Sequence, residues 1–306
     1  MKTRIASVEE VRSDFARQGY ICDDDIAMAV FLAAQLRKPV LVEGPPGVGK
    51  TELAKAAAAF LNAPLVRLQC YEGLDEARAL YEWKYGKQLL YTQLLKEKLA
   101  DVLGDASTLE ASMQRLAGFG DAFYSEEFLQ PRPLLQALRS DDPPVLLIDE
   151  IDKADQEFEA FLLELLSDYQ VSIPELGTVT ARSEPLVFLT SNNTRELSDA
   201  LKRRCLHLYI PFPDRKLEEQ IIAARVPEID ASLRKQLALF VSRLRQMDLK
   251  KQPAISETID WARALVLLNA DALAPETVEA TLRLLLKHEE DLVSARAELP
   301  RLLKPE

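Results

Sequence analysis

Residues 44–51 read Gly44-Pro45-Pro46-Gly47-Val48-Gly49-Lys50-Thr51, and with their flanks they narrow the possible folds more than anything else in the chain. An apolar run, Pro39-Val40-Leu41-Val42, leads in, and Glu52-Leu53-Ala54-Lys55-Ala56-Ala57-Ala58-Ala59 leads out. The spacing is GxxxxGK followed by Thr, a phosphate loop. It lies where such a loop has to lie, between a buried strand and a helix N-terminus. The glycines allow a tight turn that aims backbone N–H groups at phosphate oxygens. The helix adds its own unsatisfied N–H groups and the positive end of its dipole. Lys50 supplies a point charge for the β- and γ-phosphates, and Thr51 supplies a hydroxyl for Mg²⁺.

A second motif fits the first. Val145-Leu146-Leu147-Ile148-Asp149-Glu150 is a continuous apolar run ending in two acids, which predicts a central parallel strand buried on both faces. Asp149 then emerges at the carboxyl end of the sheet, where open α/β sheets bind ligands, and is expected to hold Mg²⁺. Glu150 is placed to orient or deprotonate an attacking water. Leu186-Val187-Phe188-Leu189-Thr190 is a further buried strand, ending in Ser191-Asn192-Asn193, and Leu65-Val66-Arg67-Leu68-Gln69 another. Residues 155–169 predict an amphipathic helix, with Phe158, Phe161, Leu162, Leu165, Leu166 and Tyr169 on one face and Asp155 as its cap. Alternation around Gly177 predicts a β-hairpin over 171–180.

Pro211 and Pro213 interrupt the pattern, and beyond them it is helical to the end. The chain therefore divides into an α/β domain, 1–212, and a smaller helical domain, 213–306. Between Thr51 and Asp149 run about a hundred positions, against about 30 for a minimal βαβ unit, so 71–130 is expected to hold an insert. It carries Tyr81, Trp83, Tyr85 and Tyr91, which either pack the insert onto the body or touch a protein substrate or neighbouring subunit.

Composition removes several classes. A net charge of −11 argues against non-specific nucleic-acid binding as the main activity. The longest apolar stretch near the start, Ala27 to Ala34, is too short to span a membrane, and the N-terminus lacks a signal-peptide core. Cys22, Cys70 and Cys205 are scattered and odd in number, which suits free thiols in a cytoplasmic protein. With two histidines, His207 and His288, a His-based metal site or triad is not expected.

Taken in order, these motifs resemble those of an AAA+ ATPase, and within that superfamily the MoxR branch. The likeness runs over roughly 15–270. It rests on Glu43 to Glu52, on Leu68-Gln69-Cys70-Tyr71-Glu72-Gly73-Leu74-Asp75, on Leu147 to Asp155, on Phe158 to Asp168, and on Ala200-Leu201-Lys202-Arg203-Arg204-Cys205. The 68–75 and 158–168 stretches are similar to the subgroup of the ATPase that helps mature aerobic carbon monoxide dehydrogenase. The resemblance implies a P-loop parallel sheet flanked by helices, followed by a small all-helical lid. It implies ATP and Mg²⁺ as cofactors and a homo-oligomeric ring, most often a hexamer. It also implies a von Willebrand factor A domain partner and a protein client, with a metalloenzyme of the molybdenum hydroxylase type as the client that the subgroup suggests. By position, Asn192 resembles sensor 1, Arg204 the arginine finger given in trans (Arg203 the runner-up), and Tyr20 and Ile21 the adenine contacts. Thr258 stands where many members carry a sensor 2 arginine, and Arg263 lies further along. The rival readings are a DNA-linked AAA+ ATPase of the restriction or replication-loader type, and a nucleotide-binding scaffold without hydrolysis.

Overall fold

The computed structural model describes residues 5–93, 108, 125–174 and 177–304. At its centre is a five-stranded parallel sheet in the order β2-β5-β8-β1-β9. The strands are β1 (Val40–Glu43), β2 (Leu65–Gln69), β5 (Val145–Asp149), β8 (Leu186–Ser191) and β9 (Leu206–Tyr209). Leu68, Ile148, Leu189 and Leu41 lie in one row across four strands. Side chains alternate between two cores. Leu41, Leu146, Ile148, Val187 and Leu189 face one layer, while Val40, Val42, Val145, Leu147 and Phe188 face the other. Burial on both faces is why β5 and β8 read as unbroken apolar runs. By contrast, β2 is an edge strand whose exposure alternates, with Leu65, Arg67 and Gln69 exposed.

Helices α1 (Val8–Arg17), α2 (Asp24–Leu36) and α3 (Lys50–Leu61) cover one face. Ser7 and Asp23 cap the first two by accepting from the N–H groups of Glu10 and Ile26. The other face carries α4 (Glu76–Leu80), β3 (Tyr81–Trp83), β4 (Leu129–Pro131), α5 (Pro133–Leu138) and α6 (Gln156–Asp168). Asp155 precedes α6, but its side chain makes no capping hydrogen bond. The sequence suggested the cap from residue type alone. Strands β6 (Gln170–Ile173) and β7 (Gly177–Thr180) pair antiparallel. Much of 71–130 lies outside the described residues. Of its aromatics, Trp83 is buried and meets Tyr81 edge-on, Tyr91 meets Phe128 edge-on, and Tyr85 is exposed. The three cysteines are free and buried, and burial pushes each thiol up to about 12. No described helix is long and apolar enough to cross a membrane.

After α7 (Asp199–Arg204) and β9, the chain builds a third core from α8 (Arg215–Arg225), α9 (Ala231–Leu244), α10 (Ile255–Leu267), α11 (Pro275–Thr281), α12 (Glu289–Ala297) and α13 (Leu299–Leu302). Trp261 is its largest fully buried side chain, and its Nε1 donates to Thr281 at 2.8 Å. A buried ion pair joins three of these helices. Arg245, just after α9, donates to both carboxylate oxygens of Glu218 on α8 at 2.8 Å each. Thr258 on α10 donates to the same carboxylate at 3.1 Å. Arg245 also donates to the Pro253 carbonyl at 2.9 Å and stacks on the Phe212 ring. Burial raises the pKa of Glu218, and Arg245 works against that rise.

Removing one partner of such a pair leaves an uncompensated buried charge. Arg245→Met is therefore expected to lower the unfolding free energy by about 3–5 kcal/mol near pH 8. The loss should be smaller near pH 5, because burial favours the protonated form of Glu218 and acid favours it further. A carboxylate whose folded pKa exceeds its unfolded value loses stability as pH rises through the folded pKa. Urea unfolding at both pH values measures this, and equal losses would mean that Glu218 is not the group left unpaired.

Candidate active site

The loops after β1, β5 and β8 all leave the carboxyl edge of the sheet, and their side chains meet in one cleft. Glu43 ends β1, and Gly44 follows with φ +148, its position for a Cβ only 2.1 Å from the Ile210 carbonyl oxygen. No other residue fits there. Gly47, at φ +75, has the same constraint from another quarter. A Cβ would lie 2.4 Å from the Ala254 Cβ and 3.1 Å from the Ser256 Oγ, so the start of α10 closes over the loop. Val48 is buried in the core beneath. Gly49 caps α3 without a side chain, leaving the first-turn N–H groups free for phosphate.

Lys50 is 7% exposed. Its Nζ donates to the carbonyls of Gly44 (2.7 Å) and Pro45 (2.8 Å) and to Asn192 Oδ1 (2.8 Å). Burial lowers its pKa to about 8, against the attraction of Asp152, Asp149 and Glu150. Asp149 is 2% exposed. Its Oδ1 accepts from Thr51 at 3.0 Å and from Thr190 at 2.6 Å. Its Oδ2 accepts from Arg67 through Nε at 3.0 Å and Nη2 at 2.6 Å. Glu150 sits in the left-handed region at φ 58, which costs a non-glycine residue about 1–3 kcal/mol. That turn sends the two acids apart, Asp149 into the protein and Glu150 to the cleft. The Glu150 N–H donates to Thr190 Oγ1 at 2.9 Å, and its carboxylate accepts from Gln69 (2.9 Å) and Lys153 (2.6 Å).

Asp152 was not singled out by sequence, yet it orders the loop that carries Asn192. Its Oδ2 accepts from the N–H groups of Asn192 (3.2 Å) and Thr194 (3.0 Å) and from the Thr194 hydroxyl (2.6 Å). Burial works to raise its pKa, but the Thr194 and Asn192 donors hold it below the ordinary value. Arg67, Gln69, Thr190 and Ser256 were also missed. Arg67 and Gln69 share one face of a period-2 strand, but that its neighbour is the strand ending in acids, with Gln69 in register with Asp149, is a fact of the fold.

The other expected residues divide. The Tyr20 ring lies 3.6 Å from where a Gly49 side chain would begin, and burial pushes its hydroxyl pKa up. Ile21 is half-buried and does not line the cleft. Arg204 is not brought to the cleft. It ends α7, just before β9 starts level with Val40, at the opposite edge of the sheet. There it donates to Ser167 Oγ at 2.7 Å, and Arg203 beside it is exposed. Thr258 is fully buried and bonded to Glu218, so α10 turns Ser256, rather than Thr258, into the cleft. Arg263 is exposed and lies 3.6 Å from Asp260. His207 accepts or donates one hydrogen bond with Glu43, 2.7 Å.

Mg²⁺ fits what is present. A hydroxyl and a carboxylate stand 3.0 Å apart next to the phosphate loop, both hard oxygen donors. Among the described residues no group of three or more acids, histidines or cysteines forms a metal cage, and Mg²⁺ at a phosphate needs none. Phosphate binding draws on the ammonium form of Lys50. Affinity for ADP is expected to stay level between about pH 6.5 and 7.5 and to weaken by up to about tenfold per unit above about 8. Isothermal titration across that range measures it, and a level affinity to about pH 9.5 would show that burial does not depress this lysine.

Residues 39–205, more than half of the chain, match the AAA domain of the dynein-related subfamily. The chain is 27% identical to an uncharacterized protein of Staphylococcus haemolyticus over 76% of this chain and 78% of that one. It is 25% identical to the gas vesicle ATPase GvpN of Haloferax mediterranei over 68% of this chain and 57% of that one. Among solved structures it is similar to the Thermotoga maritima RuvB Holliday junction branch migration motor, with a TM-score of 0.47 at 20% identity over 98% of this chain and 81% of that one. Since the family match takes in every element that builds the cleft from β1 to the end of α7, the chain belongs to the AAA domain family, dynein-related subfamily, and is an ATPase that uses ATP and Mg²⁺.

Proposed function

We propose that this ATPase is of the MoxR type and remodels a protein client from within a homo-oligomeric ring, most simply a hexamer. The observation that carries the ring is the position of Arg204: it lies at the opposite sheet edge from its own Lys50, so it reaches ATP only from a neighbouring subunit. In this reading residues 1–212 bind nucleotide and 213–306 form a lid over it. Similarity to a gas vesicle ATPase supports this branch.

The roles follow from the contacts. Gly47, Val48 and Gly49 direct N–H groups at the phosphates, Pro45 and Pro46 having none, and Lys50 exchanges its loop carbonyls for phosphate oxygens. Thr51 and Asp149 hold Mg²⁺, which when bound neutralises charge on the β- and γ-phosphates. Glu150 takes the proton of the attacking water, and Asn192, tied to Lys50, orients that water or the γ-phosphate. Tyr20, whose ring stands beside Gly49, faces the base. Arg204 stabilises the charge that develops in the neighbour's site. The finer reading, a chaperone in metalloenzyme assembly working with a von Willebrand factor A domain protein, rests on the 68–75 and 158–168 stretches. The acidic balance weighs against DNA-linked work.

Glu150→Gln is expected to bind ATP with near wild-type affinity and to hydrolyse it about 10²–10⁴-fold more slowly. Arg204→Ala should also bind ATP without turning it over. Mixing Arg204→Ala with Lys50→Ala subunits should restore part of the activity, because one cleft then meets an intact arginine. No restoration in mixed oligomers would remove the trans role. Capture on ATP-loaded Glu150→Gln protein in the native host tests the client. A von Willebrand factor A protein with an immature metalloenzyme subunit supports assembly, and replication or nuclease proteins with DNA overturn it.

A further inference from the structure

The carboxylate of Asp149 carries a resident cation. Both Nε and Nη2 of Arg67 donate to Oδ2, while Oδ1 serves Thr51 and Thr190. The contact is built into the sheet. Arg67 is level with Leu147 in the β2–β5 ladder, and its side chain runs along the edge to the strand end two residues on. Its Nη2 also donates to Gln69 Oε1 at 2.5 Å, which fixes the plane of the fork. Asp149 is 3% exposed on its side chain and Arg67 48%, so the acid is buried while its cation stands half-exposed at the sheet edge.

Two cations that share one carboxylate repel each other. We propose that Arg67 is a positioning residue that tunes the demand for Mg²⁺: it weakens the hold of Asp149 on free metal and lends its own charge to the phosphates, so that metal enters with nucleotide rather than ahead of it. This rests on the reading of Asp149 as the Mg²⁺ carboxylate. The half-exposed guanidinium is screened by solvent, which limits the effect to several-fold. A merely structural Arg67, present only to satisfy a buried acid, would change stability and leave metal dependence alone.

The test measures binding, not turnover. Wild type, Arg67→Met and Arg67→Lys are titrated with a fluorescent N-methylanthraniloyl ATP analogue, once with excess Mg²⁺ and once with EDTA. The ratio of the two dissociation constants is the contribution of the metal. Arg67→Met is expected to raise that ratio by about threefold or more, through weaker binding in EDTA and half-saturation at lower Mg²⁺. Arg67→Lys, which keeps the charge, is expected to stay within about twofold of wild type. An unchanged ratio in Arg67→Met overturns the proposal. Should Arg67→Met fail to fold, Arg67→Gln provides the same comparison. Asp149→Asn separates the two readings: if it keeps the wild-type ratio, Asp149 is not the metal carboxylate. If it abolishes the Mg²⁺ effect while Arg67→Met leaves the ratio unmoved, only the role of Arg67 falls.

Discussion

One buried carboxylate holds the working edge of this sheet together. Asp149 ends β5 and accepts from Thr51 on α3, Thr190 on β8 and Arg67 on β2. Burying an ionised acid in a protein interior is costly unless donors surround it, and here they come from three different elements. The cost is thereby converted into registration. The helix that follows the phosphate loop, two neighbouring strands and the strand of the acids are all referred to the same two oxygen atoms. Glu150 inherits its position from that fixed point, because its own N–H is held by Thr190, the residue that also donates to Asp149.

Lys50 is the counterpart of this arrangement. It is buried, as Asp149 and Asp152 are, and is shared between its own loop and Asn192. Asp152 stiffens the Asn192 loop through backbone donors and is also the strongest acidic influence on the charge of Lys50. The cleft is therefore polarised before any phosphate enters it, which is the preorganisation that charge-stabilising catalysis needs.

Lys50, Thr51, Asp149, Glu150 and Asn192 were legible in the sequence because each stands at a fixed offset from an apolar run. What the sequence withheld was adjacency. Nothing in the order of residues says that β2 lies beside β5, so Arg67 and Gln69 read as strand positions without a task. Thr258 stands where the resemblance places a sensor 2 arginine, yet Glu218, forty positions earlier, takes its hydroxyl into the third core. Arg204 was legible as a helix-end arginine, while its distance from its own cleft follows from strand direction alone. Asp155 had the right residue type for a cap, and the local geometry did not use it.

The close approach of Gly47 to Ala254 has a mechanical consequence. Helix α10 touches the phosphate loop at one end, is pinned one turn later through Thr258, and ends at Leu267 and Leu268, whose side chains stand 82% and 58% exposed. Thirteen residues make a rod of about 20 Å. With the pivot so near the loop, a tilt of about 5° moves the far end by roughly 2 Å. Trp261 and Leu265 bind the helix into the third core, so a displacement at the phosphate loop would reach that core as a tilt of the whole rod, largest at its apolar tip.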